Sequence, residues 1–164
     1  MTGPDQVTPR LLVVAVAGRL PAWAESACVE YVNRMPRGFE TARVAVKPEP
    51  RVASKTTERL LASEAKRVLA ATPQGAHLVA LDERGRDLTT GQLAGRLRSW
   101  LDQGRVTAFL LGGPDGLDPD MARHCGFALR LSSLTLPHAL AQVLLCEQLY
   151  RAASILTGHP YHRE

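Results

Sequence analysis

Two short runs near the carboxyl end carry residue types that suit a ligand held by main-chain atoms. Leu110-Leu111-Gly112-Gly113-Pro114-Asp115-Gly116-Leu117 is an apolar run that breaks into three glycines, where a backbone without β-carbons turns sharply and approaches a bound molecule closely. Leu131-Ser132-Ser133-Leu134-Thr135-Leu136-Pro137-His138 sets hydroxyls between leucines, an apolar wall with hydrogen-bonding groups in it. The two together predict a cofactor pocket. The glycine run alone is equally well explained by a tight turn. The chain then closes on His159-Pro160-Tyr161-His162-Arg163, which brings an imidazole, a phenol and a guanidinium together. A solvated charged terminus has the same composition.

The elements that must position these runs alternate. Strands are predicted near Leu11 to Ala17, Arg43 to Lys47, His77 to Leu81, Thr107 to Leu111 and Phe127 to Leu131. Helices are predicted near Ala22 to Asn33, Thr56 to Ala71, Thr89 to Gln103, Asp118 to His124 and Ala139 to Thr157, with Thr89 and Asp118 as N-caps. This order predicts an α/β fold, a mainly parallel sheet with helices on both faces. Residues 1–10, with Gly3, Pro4 and Pro9, read as a loose leader, and residues 11–164 as a single domain. The last helix carries apolar residues on more than one stripe, which suits either a second subunit or a central place in a monomer. Glu147 and Arg151 stand one turn apart in the favourable order and pair on its surface.

The glycines are in the wrong place for a dinucleotide fold, which needs them after the first strand; only Gly18 stands there. A phosphate-cradling GxxxxGK[ST] is also missing. Cys28, Cys125 and Cys146 are dispersed and show no metal spacing, so they read as reduced packing residues. His159 and His162 have Pro160 between them and no third ligand, so no metal is expected. His138 is expected to orient the start of the last helix, and His77 and His124 to be structural. No run reaches the roughly 20 apolar residues of a membrane span, and residues 11 to 17 lack the features of a secretory signal, so a cytosolic protein is expected.

Of the net charge of +4, all lies in residues 1–72, with 11 Lys or Arg against 7 Asp or Glu. A basic surface away from the glycine-rich pocket suits a polyanion, and a merely solvated face equally. The stretch from Lys47 to Lys55 reads as a flexible basic loop and a candidate phosphate contact.

Taken in order and spacing, GGPDG, LSSLTLPH, the Glu147–Ala152 run EQLYRA and the terminal HPYHRE resemble the RlmH family of ribosomal RNA large subunit methyltransferases, knotted enzymes of the SPOUT class. The likeness extends from Leu11 to Glu164. It implies a trefoil knot near the carboxyl end and S-adenosylmethionine bound in it by Leu81, Gly112, Gly113, Leu131, Ser132, Ser133, Leu134, Thr135 and Leu136. It also implies a homodimer that methylates N3 of a pseudouridine in 23S ribosomal RNA within the assembled ribosome, with Arg151, Tyr161, His162 and Arg163 as catalytic contributors and each tail reaching the partner's pocket. His162 has the intrinsic pKa for proton transfer, Tyr161 suits stacking on a base, and Arg163 suits an anion. Three positions depart from the family pattern: Gln142 where arginine is usual, Ala17 where glycine is common, and Glu49 within the basic loop. The alternatives are a knotted methyltransferase with another RNA target and a non-catalytic ribosome-binding protein.

Overall fold

The structure, a computed structural model, describes residues 8–163. Strands β1 (Leu11–Val16), β2 (Thr41–Val46), β3 (His77–Asp87), β4 (Thr107–Leu111) and β5 (Phe127–Arg130) form one sheet in the order β2-β1-β4-β3-β5. All its pairings are parallel. The helices between them are α1 (Ala22–Asn33), α2 (Thr57–Ala70), α3 (Thr90–Asp102), α4 (Pro119–His124) and α5 (His138–Thr157), and a 3-10 turn spans Pro160–Arg163.

The interior strand β1 shows why the helices cover both faces. Every residue of β1 is buried, and successive side chains point to opposite sides. Leu11, Val13 and Ala15 pack in one core with Leu97 and Trp100 of α3 and Leu145 and Leu149 of α5. Leu12, Val14 and Val16 pack in a second with Ala65 and Val68 of α2 and Met121 of α4.

Helix starts follow the expected caps. Thr89 forms a full capping box with Gln92, and the Asp118 side chain accepts from the Met121 amide at 2.9 Å. Thr56 caps α2 in the same way. At the far end of α5, Gly158 takes a left-handed φ of 73°, closing the helix before the tail turns back. None of the described helices is long and apolar enough to cross a membrane.

Three expectations are corrected. Strand β3 does not end at Leu81 but runs on to Asp87: Leu81 and Arg86 both pair with Leu129, and residues 82–85 bulge out between them. At Gly85 a β-carbon would lie 2.8 Å from backbone atoms of Ala128 and Leu129, so only glycine allows the two segments to meet.

The Lys47 to Lys55 stretch is tied down rather than flexible, because two of its three cations face carboxylates. Glu49 is 7% exposed and takes both Lys55, at 2.6 Å, and Arg67 of α2, while Arg51 joins Glu64 and Asp115, each at 2.7 Å. Arg51 and Lys55 are therefore already neutralised and offer little to a phosphate, whereas Lys47 stays exposed.

The loose leader stops short of Arg10. Residues 1–7 lie outside the described residues, but the Arg10 guanidinium donates to the Gly38 and Leu101 carbonyls and belongs to the domain.

Candidate functional site

At the carboxyl ends of β3, β4 and β5 lies a cavity of about 630 Å³. Parallel α/β sheets bind ligands outside the carboxyl ends of their strands, where loops diverge and backbone groups are left free. All nine residues expected to hold a cofactor line it: Leu81 from β3, Gly112 and Gly113 after β4, and Leu131, Ser132, Ser133, Leu134, Thr135 and Leu136 between β5 and α5. The distances in sequence are large, and the sheet order removes them by placing β3 between β4 and β5.

The glycine turn is shaped by contacts too close for a side chain. A β-carbon on Gly112 would fall 2.2 Å from the Gly116 carbonyl carbon and 2.5 Å from the Leu117 nitrogen. The Gly116 amide donates to the Gly113 carbonyl at 3.0 Å, and Gly116 has a φ of 81°. A β-carbon on Gly113 would stand 3.3 Å from Val16, so this backbone is pressed against the end of β1. On the opposite wall the Ser132 hydroxyl accepts from the Leu134 amide at 2.9 Å, turning the loop so that Leu134 stands 75% exposed at the rim.

Sequence reasoning missed Asp82, Glu83, Arg84, Arg130 and His138, which also line the cavity. The first three belong to the bulge of β3, and their charged run carries no strand periodicity. His138 opens α5 as expected, and it also faces the site. Burial, partly offset by the Gly112 carbonyl, pushes its pKa below the ordinary value of 6.5, so the ring is neutral at pH 7.

The tail forms a separate cluster. Arg151 donates from Nε to Glu147 at 2.8 Å, the Tyr161 hydroxyl donates to the same Glu147 oxygen at 3.2 Å, and the Arg151 guanidinium lies 4.7 Å from the centre of the Tyr161 ring. Arg34 of α1 stands over Tyr150 and Tyr161 at 4.9 and 5.4 Å. The Glu147–Arg151 pair is thus largely enclosed, with 15% and 22% of the side chains exposed, and is more than a surface contact. Burial, the Tyr31 hydroxyl and the Glu147 charge raise the Tyr161 pKa, so it remains a neutral phenol. His162 touches the His159 carbonyl through Nδ1, and Arg163 is exposed.

Among the described residues, none of the tail lines the cavity. Arg151 lies thirteen residues along α5 from His138, which at the rise of an α-helix is about 20 Å.

Comparison with known proteins gives a consistent picture. Residues 10–162 match the family model described as Predicted SPOUT methyltransferase. The chain is 53% identical over 154 residues to Ribosomal RNA large subunit methyltransferase H of Bordetella avium (strain 197N), covering 94% of this chain and 99% of that one. It is 56% identical over 155 residues to the protein of the same name from Verminephrobacter eiseniae (strain EF01-2), again covering 94% and 99%. Among solved structures, the A. aeolicus TrmH/SpoU tRNA modifying enzyme superposes with a TM-score of 0.52 at 12% identity, covering 93% of this chain and 79% of that one, a likeness of fold alone. The architecture is therefore the knotted α/β fold, and the chain belongs to the SPOUT methyltransferases, in the ribosomal RNA large subunit methyltransferase H family.

Proposed function

We propose that this protein is an S-adenosylmethionine-dependent methyltransferase that acts on 23S ribosomal RNA in the assembled ribosome, in the cytosol, placing a methyl group on N3 of a pseudouridine. The observation that carries this reading is the convergence of Leu81, Gly112, Gly113 and residues 131–136 on one cavity. The cavity suits the donor. Gly112 and Gly113, whose tight turn against Gly116 and Val16 leaves no room for a β-carbon, bring bare main chain to the cavity wall, and Leu81, Leu131 and Leu136 give an apolar slot of the kind an adenine ring needs. Ser132, Ser133 and Thr135 supply hydroxyls beside it. When bound, S-adenosylmethionine supplies an electrophilic methyl group, and the pocket's task is to align that group with the incoming nitrogen.

The protein must also deal with a proton, since the imide N3 is protonated at neutral pH. The Arg34 and Arg151 guanidiniums flank Tyr161, beside the carboxylates of Glu30 and Glu147, and would hydrogen-bond an imide anion in place of those carboxylates, and His162 is the candidate base. Tyr161, held as a neutral phenol, is suited to stacking against the target base or donating a hydrogen bond to it, and Arg163 to holding a phosphate. With about 20 Å along α5 between cavity and cluster, one reaction centre needs the cavity of one subunit and the tail of another, so the active form is a homodimer.

The test is mass spectrometry of ribosomal RNA from cells with and without the protein, together with methyl incorporation by the purified protein on intact ribosomes and on isolated RNA. Loss of one methylated pseudouridine on deletion, restored in vitro only on ribosomes, is expected. Uptake of S-adenosylmethionine with no methyl transfer to any RNA would instead mark a non-catalytic ribosome-binding protein.

A further inference from the structure

A file of polar side chains runs from the outer strand of the sheet to the donor cavity, and its hydrogen bonds have only one consistent direction. Glu25 of α1 takes both terminal nitrogens of Arg43 on β2, at 3.0 and 3.2 Å. The same Arg43 also reaches Gln142 Oε1 at 3.2 Å, and Gln142 Nε2 stands 2.8 Å from Nε2 of His138. A guanidinium only donates, so the carbonyl end of the Gln142 amide must face Arg43 and its NH₂ must face the histidine. An amide nitrogen is likewise only a donor. His138 Nε2 must therefore accept and carries no proton, which leaves the ring's single proton on Nδ1. The imidazole also contacts the Gly112 carbonyl, in the wall of the donor cavity.

Gln142 is 3% exposed, on an otherwise apolar stretch of α5. A buried amide costs stability unless both its ends are satisfied, and here Arg43 and His138 satisfy them. Arg43, Glu25 and Gln142 also line a second cavity, of about 630 Å³, beside Gly18 and Arg19. The file therefore connects the two cavities. Nothing in the mechanism above uses it.

We propose that Gln142 is a positioning residue for the methyl donor: held by Arg43, it fixes His138 as the Nδ1-protonated neutral tautomer, so that the ring donates to the Gly112 carbonyl and steadies the glycine turn. The neutral state set by burial agrees with this, since a proton on Nε2 would oppose the amide NH₂. The role of the file in donor binding rests on the methyltransferase reading, whereas the tautomer assignment stands apart from it.

Two measurements on the full-length protein test it. Ring ¹⁵N spectra of the histidines, with His138 assigned by H138N, are expected to show Nδ1 protonated and Nε2 bare in the wild type. In Q142L, which removes the amide but keeps its bulk, the same ring is expected to exchange between tautomers. Calorimetry with S-adenosylmethionine is expected to show Q142L about five- to twentyfold weaker, as for loss of one or two buried hydrogen bonds, with KM rising more than kcat falls. If Q142L does not fold, R43M serves, because it frees the Gln142 carbonyl without touching the histidine. Unchanged His138 spectra in a folded variant, or a wild-type ring protonated on Nε2, overturn the tautomer chain. Donor affinity within twofold of wild type despite an altered ring overturns the positioning role. If the wild type itself takes up no donor, the methyltransferase reading fails, and the role in donor binding with it, while the spectra still decide the tautomer.

Discussion

Arg51 donates to Asp115 at 2.7 Å with one terminal nitrogen and to Glu64 at 2.7 Å with the other, tying the loop after β2 to the glycine turn of the cavity and to the middle of α2. The two contacts differ in their surroundings. Glu64 is 2% exposed and has one oxygen without a partner, whereas Asp115 is open to solvent. R51M strands the buried Glu64 charge and is expected to lower the melting temperature by several degrees. D115A breaks only the exposed contact, and its melting temperature should stay close to wild type. Differential scanning calorimetry of the two variants side by side makes the comparison. Equal losses would mean that Glu64 does not need Arg51.

Gly112 should tolerate no side chain. In G112A the new methyl meets backbone at 2.2 Å, which only a shift of the Gly112–Leu117 turn relieves. The expected cost is about 3 kcal/mol or more, with donor binding lost. G18A is the control, since nothing lies within 4 Å of a β-carbon there and its stability should move by less than about 0.5 kcal/mol. Urea denaturation and calorimetric titration read both.

Stability should fall on mild acidification. His77, stacked on Trp100, and His138 both have pKa values pushed below 6.5, by burial first in each case. Between the folded and unfolded values the unfolded chain binds more protons, so this contribution is complete above about pH 7 and is lost as pH falls through 6.5 and on through the folded values. The melting temperature is expected to decline from pH 7 to pH 5. H77Q should flatten part of that decline, and an unchanged slope would remove His77 as a cause.

The two tail residues should separate in their pH behaviour. Because Tyr161 keeps its proton, Y161F should lower kcat/KM by about tenfold through the lost hydroxyl hydrogen bonding, the ring and its stacking being kept, with the shape of the pH–rate profile unchanged. H162N should remove the acidic limb and cost about a hundredfold or more. An unaltered profile in H162N would take the proton-accepting role away from that residue.

An active site shared between two subunits, as proposed above, would have a countable consequence. A variant ending at Gly158 and a variant with the cavity filled by L81W are each expected to be inactive. Mixed and allowed to exchange subunits at random, half of the dimers are hybrids with one complete centre in two, so about a quarter of wild-type activity should return. No recovery in exchanged hybrids would place cavity and tail in the same protomer.

What the chain's own letters decide is local. Leu11–Val16 is apolar at every position, so both faces of that strand must be covered, and Leu110–Gly113 announces a strand that breaks into a turn. Thr89 and Asp118 announce helix starts because a capping oxygen acts within three residues. The likeness of its motifs to a family supplied the knot, which no periodicity encodes.

Tertiary structure decided what depends on residues far apart. Asp82–Asp87 is a charged run that becomes strand only because β5 lies beside it, and Gly85 is required by a crossing that begins 43 residues later. The apparent basicity of Arg51 and Lys55 disappears once Glu49, Glu64 and Asp115 are brought to them. Gln142 reads as an interruption in an apolar helix until Arg43, 99 residues away, meets its carbonyl. Propensity and capping act between neighbours in sequence, whereas strand pairing, a close backbone crossing and the free energy of a buried charge or amide are set by the partners that folding alone provides.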